Sequence, residues 1–490
     1  MNRVKSLLLG SASLLAAGGA QAADLPVKAK PVEYVKICSL YGEGFYYIPG
    51  TDTCIRVGGY VRADYYWNTV GGGNPNYTGA PGRQTRADTS DFAFRSRANL
   101  MVDTRTNTAY GTLRTLESIH FQNENQGAVN LVLHRSFIQW AGLTFGHAQS
   151  YVDIFYLDPY QFAGPYIGSS TDANGTNLAA YTLQFGDGLT YTSFIEERRR
   201  TGANNTGRPV VNLSLAGGLP GVGAQATDSS NGMVFPDFGG TLRWDQSWGA
   251  LGAFYVGHDA SATYYATTGV ACLGGAAGTP VTTCGHPPSE LGWAAGAGGT
   301  INLPMITAGD RIGAQFVWSS GAAAYAANGH NSAGLFGGGN QVAVGWLSDG
   351  VYVSGSRIEL TTAWSVVAAY EHNWTPQFRT SLYGAYLRVD YDATATRFFC
   401  VAGTAAVVQA NFNTLSNCNP DYKFWYVGAR TLWNPAKDFI LGVDVSFTEV
   451  ETAFAGTASL AGAIGARPTG LYAIKNQGIV TAIFRAQRTF

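Results

Sequence analysis

Ile55-Arg56-Val57-Gly58-Gly59-Tyr60-Val61-Arg62-Ala63-Asp64-Tyr65-Tyr66-Trp67-Asn68 reads with a period of two. Ile55, Val57, Val61, Ala63, Tyr65 and Trp67 fall on one face, and Arg56, Tyr60, Arg62, Asp64, Tyr66 and Asn68 on the other. Alternation sustained over this length specifies a β-strand with an apolar and a polar side. About sixteen such stretches run from Cys54 to Phe490, at 54–68, 92–104, 109–121, 130–140, 142–149, 178–185, 189–198, 234–245, 249–258, 290–302, 311–320, 360–373, 378–391, 421–433, 438–449 and 476–490.

The connectors alternate in length. Those after odd strands are long, except near 122–129, and those after even strands are tight. Gly186-Asp187-Gly188, Gln246-Ser247-Trp248, Trp374-Thr375-Pro376-Gln377 and Asn434-Pro435-Ala436-Lys437 supply hairpin residues. The pattern predicts an all-β chain: a sixteen-stranded antiparallel transmembrane β-barrel with short periplasmic turns, long external loops and both ends in the periplasm. An open strand edge in hydrocarbon would leave backbone groups unsatisfied at several kcal/mol each, so the last strand must pair with the first. About sixteen strands leave an aqueous channel, and the chain is too short for a plugged barrel of about 22.

Residues 1–22 read as a signal peptide, with Arg3 and Lys5, an apolar run from Leu7 to Ala17 and the small-residue site Ala20-Gln21-Ala22. A periplasmic N-terminal segment, 23–53, carries Lys28, Lys30 and Lys36 around prolines as an extended linker. The barrel itself occupies 54–490. Elsewhere there is no charge-free apolar run of about 18 residues, which excludes a helical transporter. A formal net charge of −1 suggests no polyanion role, so nucleic acid is not an expected partner.

Six cysteines fall as near neighbours in sequence: Cys38 with Cys54, Cys272 with Cys284, and Cys400 with Cys418. Six allow 15 connectivities, and an oxidising compartment together with the bracketing of single connectors favours local pairing. Zinc is the competing reading, but no C-x-x-C or His-rich spacing accompanies them, and neither metal nor cofactor is expected.

Later strands sort their faces well. Phe439, Leu441, Val443, Val445 and Phe447 oppose Gly442, Asp444, Ser446 and Thr448, while Trp364, Val366, Ala368 and Tyr370 oppose Thr361, Ser365, Glu371 and Asn373. Trp67, Trp318, Trp374, Trp425 and Trp433 lie near strand ends, suited to an interfacial aromatic girdle. The stretch 109–121 alternates poorly and leaves Glu117 on the nominal outer face, a place to meet another subunit.

An arginine at the lipid midplane costs roughly 2–4 kcal/mol, so strand arginines should point inward. Arg56, Arg62, Arg95, Arg97, Arg114 and Arg135 come from four neighbouring strands and form one basic strip; Arg243, Arg311, Arg388, Arg430 and Arg485 are dispersed around the rest. The third long connector, 150–177, mixes Tyr151, Phe155, Tyr156, Tyr160, Phe162 and Tyr166 with Asp153, Asp158 and Asp172. Rings in such number point to a loop folded inward, its three acids set against the arginines across a constriction that selects by size and charge.

Ala23-Asp24-Leu25-Pro26, the stretch from Cys38 to Tyr60, Ser136 to Tyr151, Arg243 to Gly249 and the terminal Phe484 to Phe490 resemble the Omp2-type alphaproteobacterial porins over essentially the whole mature chain. The resemblance implies a trimeric general diffusion porin of the cell outer membrane with an inward third loop, surrounded by outer-membrane lipid and lipopolysaccharide. It also implies passage of small hydrophilic solutes and ions. By the same resemblance the outer faces of the first and last strands form the subunit contact, and Phe490 is the signal read by the barrel assembly machinery.

An enzyme is not expected. The seven histidines are scattered and there is no G-x-S-x-G or H-E-x-x-H. The alternative is a sugar-selective channel, in which Tyr60, Tyr66, Tyr151, Tyr156 and Tyr160 would form a sliding track.

Overall fold

A computed structural model describes residues 36–70, 74–75, 92–125, 127–162, 164, 167–171, 175–199, 210–214, 232–266, 284–328, 333–335, 340–400, 412–460 and 470–490. The signal-peptide reading, Lys28, Lys30, Tyr166, Asp172 and Cys272 lie outside the described residues.

The barrel strands are β1 (Thr53–Trp67), β2 (Phe92–Thr108), β3 (Gly111–Glu124), β4 (Asn130–Trp140), β5 (Leu143–Ala148), β6 (Thr176–Gly186), β7 (Leu189–Glu196) and β8 (Asp237–Gln246). They continue with β9 (Gly249–Ala260), β10 (Glu290–Asn302), β11 (Arg311–Ser320), β12 (Thr362–Thr375), β13 (Phe378–Asp390), β14 (Tyr422–Ala436), β15 (Phe439–Glu451) and β16 (Gln477–Thr489). Each pairs antiparallel with its sequence neighbour, and β16 pairs with β1 from Tyr60↔Thr489 to Trp67↔Ala482. Sixteen strands thus close without an edge. Beyond β16, Gly59 and Phe490 exchange both backbone hydrogen bonds, at 3.1 and 3.0 Å.

The outer wall is the apolar face of each strand: Val57, Val61, Tyr65 and Trp67 on β1, Val443 and Val445 on β15, all exposed, with Asp64, Tyr66, Asp444 and Ser446 buried behind them. Trp67, Trp318, Trp374 and Trp433 are exposed on that wall. Among the described residues no helix is long and apolar enough to cross a membrane; the crossing is made by strands.

The first strands depart from clean alternation for two reasons. β2 and β3 extend past the predicted 104 and 121 because the ladder continues through Thr108↔Gly111 and Arg95↔Glu124, and outward threonines satisfy one another there: Thr53 with Thr106 at 2.9 Å, and Thr104 with Thr115. The β3–β4 register then shifts between Ser118 and Ile119, which pair with Arg135 and Leu133. A bulge of this kind re-aims the extra residue, and His134 stacks on His120 at 4.4 Å. Glu117 stays exposed on the outer wall, opposite Val102 and Ser136.

At the short-turn rim, Tyr46–Tyr47 adds to the start of β1 and a Cys38–Cys54 disulfide closes the segment. At the long-loop rim, Ala333–Leu335, Gln341–Gly345, Phe412–Asn417, Ala455–Leu460 and Gly470–Ile474 form a separate sheet. A helix, α1 (Ala393–Cys400), is tied by Cys400–Cys418. Trp346, Tyr391, Phe399, Phe454 and Tyr472 pack beneath this cap.

The hairpin between β6 and β7 needs left-handed backbone throughout: φ is +89° at Gly186, +48° at Asp187 and +77° at Gly188. A Cβ on Gly188 would sit 1.9 Å from the Asp245 carbonyl oxygen, whereas one on Gly111 (φ +103°) meets nothing within 4 Å. Gly111→Ala should therefore cost only backbone strain, about 1–2 kcal/mol. Gly188→Ala should cost more and lower the yield of heat-modifiable barrel on semi-native gels; equal yields would contradict the packing at this turn.

Candidate functional site

Two aspartates organise the lumen wall of β1, β2 and β16. Asp64 accepts from Arg485 Nε at 2.6 Å, Tyr66 OH at 2.9 Å and Arg95 Nη2 at 3.4 Å, with Arg62 Nε at 4.0 Å. Asp103 lies 2.9 Å from Arg105, 3.1 Å from Arg114 and 3.8 Å from Arg56. Each carboxylate is thus shared by three guanidiniums. Arg97 donates from Nε and Nη2 to Gln122 Oε1 at 2.9 and 2.5 Å, and Arg135 Nη1 to the His134 carbonyl at 2.6 Å. The structure places all six arginines of the sequence-derived strip on this wall and adds Arg105 and Arg485. Arg105 was legible from its parity with Arg95 and Arg97. The role of Arg485 needed the closure of β16 on β1.

The third loop follows β5 and travels around the inside of the barrel. Thr241 on β8 donates to the Tyr151 carbonyl at 3.0 Å, and Phe155 N–H donates to Gln315 Oε1 on β11 at 2.7 Å. Arg430 on β14 reaches the Pro159 carbonyl at 2.6 Å, Phe162 N–H reaches Asp444 Oδ2 on β15 at 2.5 Å, and Arg485 reaches the Phe162 carbonyl at 3.2 Å. Two lumen-facing glycines make room for its rings: a Cβ on Gly313 would lie 2.1 Å from Phe155, and one on Gly442 2.5 Å from Phe162. Phe162 ends packed with Tyr66, Ala93, Leu432 and Ile483, against the arginine wall. Arg485 covers its ring at 4.2 Å.

Asp153 does not face the strip as the sequence suggested. It is buried, accepts from Thr171 N and Oγ1 at 2.7 and 2.6 Å, and lies 3.8 Å from Arg199. The reason is a buried ionic net at the base of the loop that no local pattern announces. Arg199 Nε donates to Glu196 at 2.8 Å, Ser150 Oγ donates to Glu196 at 2.6 Å, and the single O–H of Tyr325 is shared between Glu196 and Asp237, 2.9 and 2.8 Å away. His258 bridges Asp237 and Asp349 at 2.9 and 3.2 Å. Asp158 is half-buried and accepts from Ser170 Oγ at 2.7 Å. Glu371, placed on the polar face of its strand by the sequence but not assigned to the site, holds Arg311 at 3.1 Å and Arg430 at 3.2 Å.

A family model described as a porin subfamily matches residues 24–483. The chain belongs to that porin subfamily. This porin is 34% identical over 285 residues to Porin Omp2b of Brucella suis, an alignment covering 54% of this chain and 68% of the relative. To Porin Omp2b of Brucella canis it is 33% identical over 265 residues, covering 51% of this chain and 64% of the relative. Among solved structures, the outer membrane channel DcaP of Acinetobacter baumannii matches 91% of this chain and 99% of its own, with a TM-score of 0.54 and 12% identity, a likeness of fold alone. Family and fold together make this porin a β-barrel channel of the outer membrane and not an enzyme.

Burial pushes the Asp153 carboxyl up to about 6, against the pull of Arg199 and the Thr171 hydrogen bonds. A folded value above the ordinary 3.8 means its contribution to the seated loop is complete at acid pH and lost as pH rises through about 6. Amide exchange at Val152 to Ile154, normalised to intrinsic rates, should speed up across that interval in the native porin and stay level in Asp153→Asn. Asp444→Ala removes the acceptor of Phe162 N–H and of the Tyr383 hydroxyl, a loss of about 1–3 kcal/mol from the loop's seat. A nitroxide at Asp158→Cys should become more mobile in that variant; an unchanged spectrum would show that the loop is held elsewhere.

Proposed function

We propose that this porin is a water-filled channel for passive diffusion of small hydrophilic solutes and ions, selecting by size and charge where the third loop meets the arginine wall. The observation that carries the reading is the excess of guanidinium there: Asp64 and Asp103 are each divided among three arginines. Such a wall holds a positive potential in a low-dielectric enclosure and favours anions. Asp158 and Asp172 are proposed as the acidic side of the constriction, with Asp153 assigned to the loop's base instead.

Several further parts belong to the same reading: export by the 1–22 signal peptide, Phe490 as the assembly signal, Cys272–Cys284 as a further disulfide, and a homotrimer set in lipid and lipopolysaccharide. Glu117 supports the trimer, because a carboxylate on the lipid face is costly unless another copy covers it. The sugar-selective alternative needs open aromatic faces along the pore. Tyr66 and Tyr160 are only 1% and 3% exposed and are taken up by packing.

In liposome swelling, neutral sugars of graded size should enter in order of mass, and in planar bilayers a salt gradient should give ohmic steps with a reversal potential of anion preference. Entry ordered by sugar identity, or cation preference, would overturn this assignment.

A further inference from the structure

Between the two aspartate-centred clusters lies a patch of the wall built without carboxylates. In register across β16, β1, β2 and β3, one row reads Gln487, Arg62, Arg97, Gln122, and the next reads Thr489, Tyr60, Asn99, His120. Arg62 and Arg97 are thus directly opposed on neighbouring strands. Like charges so placed repel. The nearest carboxylate to Arg62 is Asp64 at 4.0 Å, already engaged by Arg485 at 2.6 Å and Arg95 at 3.4 Å. The groups that do hold the pair are neutral: Arg62 Nη2 donates to Tyr60 OH at 2.6 Å, and Arg97 donates to Gln122.

The surroundings supply further polar groups, and the carboxylates that border the patch are drawn to other arginines: Asp64 to Arg485 and Arg95, and Glu124 to Arg95 at 4.0 Å. Tyr60 OH lies 3.3 Å from His120 Nε2, His120 stacks on His134, and Asn99 Nδ2 donates to Ser118 Oγ at 2.8 Å. Arg135 follows across the bulge, opposite Ser118. Arg62, Arg97, Tyr60, Gln122 and His134 are all half-buried, the Arg62 side chain being 12% exposed, so each keeps part of its surface toward the lumen. Adjacent guanidiniums flanked by neutral polar side chains match the geometry of an oxyanion with several negative oxygens, since each planar fork donates to two of them.

We propose that this patch is a binding subsite for polyvalent phosphate-type oxyanions in transit, with Arg62 and Arg97 as its ligating pair. The proposal rests on the channel reading above and adds a residence step to it: an oligophosphate relieves the repulsion between the two arginines, pauses there and occludes the smaller ion current. Monovalent anions, with one charge for two guanidiniums, pass without pausing.

The test is single-channel recording with inorganic tripolyphosphate as the probe, on the full chain, its Arg62→Gln/Arg97→Gln double variant, Arg97→Gln alone, and Arg243→Gln. Arg243 lies on β8 beside the short Gln246 to Gly249 turn, paired with Asp245 at 2.8 Å. The native channel should show brief closures whose frequency rises with tripolyphosphate and falls with added salt. The double variant should need roughly ten-fold more probe or beyond for the same closed fraction. Arg97→Gln alone should fall between the two, and Arg243→Gln should match the native channel. Heat-modifiable migration on semi-native gels, together with ohmic steps in the absence of the probe, establishes that the variant barrels are folded and open. Equal block in native and double-variant channels would overturn the subsite, as would native channels that conduct in ohmic steps but never close with the probe. A native protein without ohmic steps would instead sink the channel reading, and the subsite with it.

Discussion

Every backbone N–H and C=O of a sheet immersed in hydrocarbon has to be paired within the protein, because lipid offers neither donor nor acceptor. The register from Tyr60↔Thr489 to Trp67↔Ala482, finished by the Gly59–Phe490 exchange, is where this chain meets that demand. Once the ring is shut, each side chain has only two destinations, acyl tails or lumen. Val57 and Val443 go one way; Asp64, Arg95 and Asp444 go the other. The longest loops are confined to one rim, and whatever they bury must be found inside or above the barrel.

Inward polar groups then face a second demand, for partners at close range in a confined space. On the arginine wall it is met by sharing: one carboxylate for three guanidiniums at Asp64, and again at Asp103. It is met also by the third loop, whose carbonyls take Arg430 and, at the arginine wall itself, Arg485, and whose N–H groups give to Gln315 and Asp444. The loop is therefore part of the wall's hydrogen bonding as much as an obstacle in the channel. Its base is fixed by Glu196, Arg199, Asp237 and Tyr325, a buried net in which every carboxylate has a cationic or hydroxyl partner.

Outside, the same physics makes the exceptions informative. Thr104, Thr106 and Thr115 satisfy one another or Thr53 across strands, so their hydroxyls cost little on an apolar wall. Glu117 is a charge on that wall, and its cross-strand neighbours are the neutral Val102 and Ser136. The stretch that alternated worst in the sequence, 109–121, also borders a register shift, where the extra residue in β4 sends His134 inward next to His120.

The amino-acid sequence by itself determined the strands, their number and faces, and the inward direction of the arginines. These follow from a period of two and from the cost of charge in lipid, both of which act residue by residue along one strand. Only the tertiary structure decided which charges meet. Asp64 and Arg485 are 421 residues apart and Phe162 and Asp444 are 282 apart, so their pairing depends on ring closure and on the path of a loop that no local pattern records. Asp153 makes the same point from the other side: its composition suited a pore-facing acid, but a hydroxyl, an N–H and a buried guanidinium, supplied by Thr171 and Arg199, claimed it first.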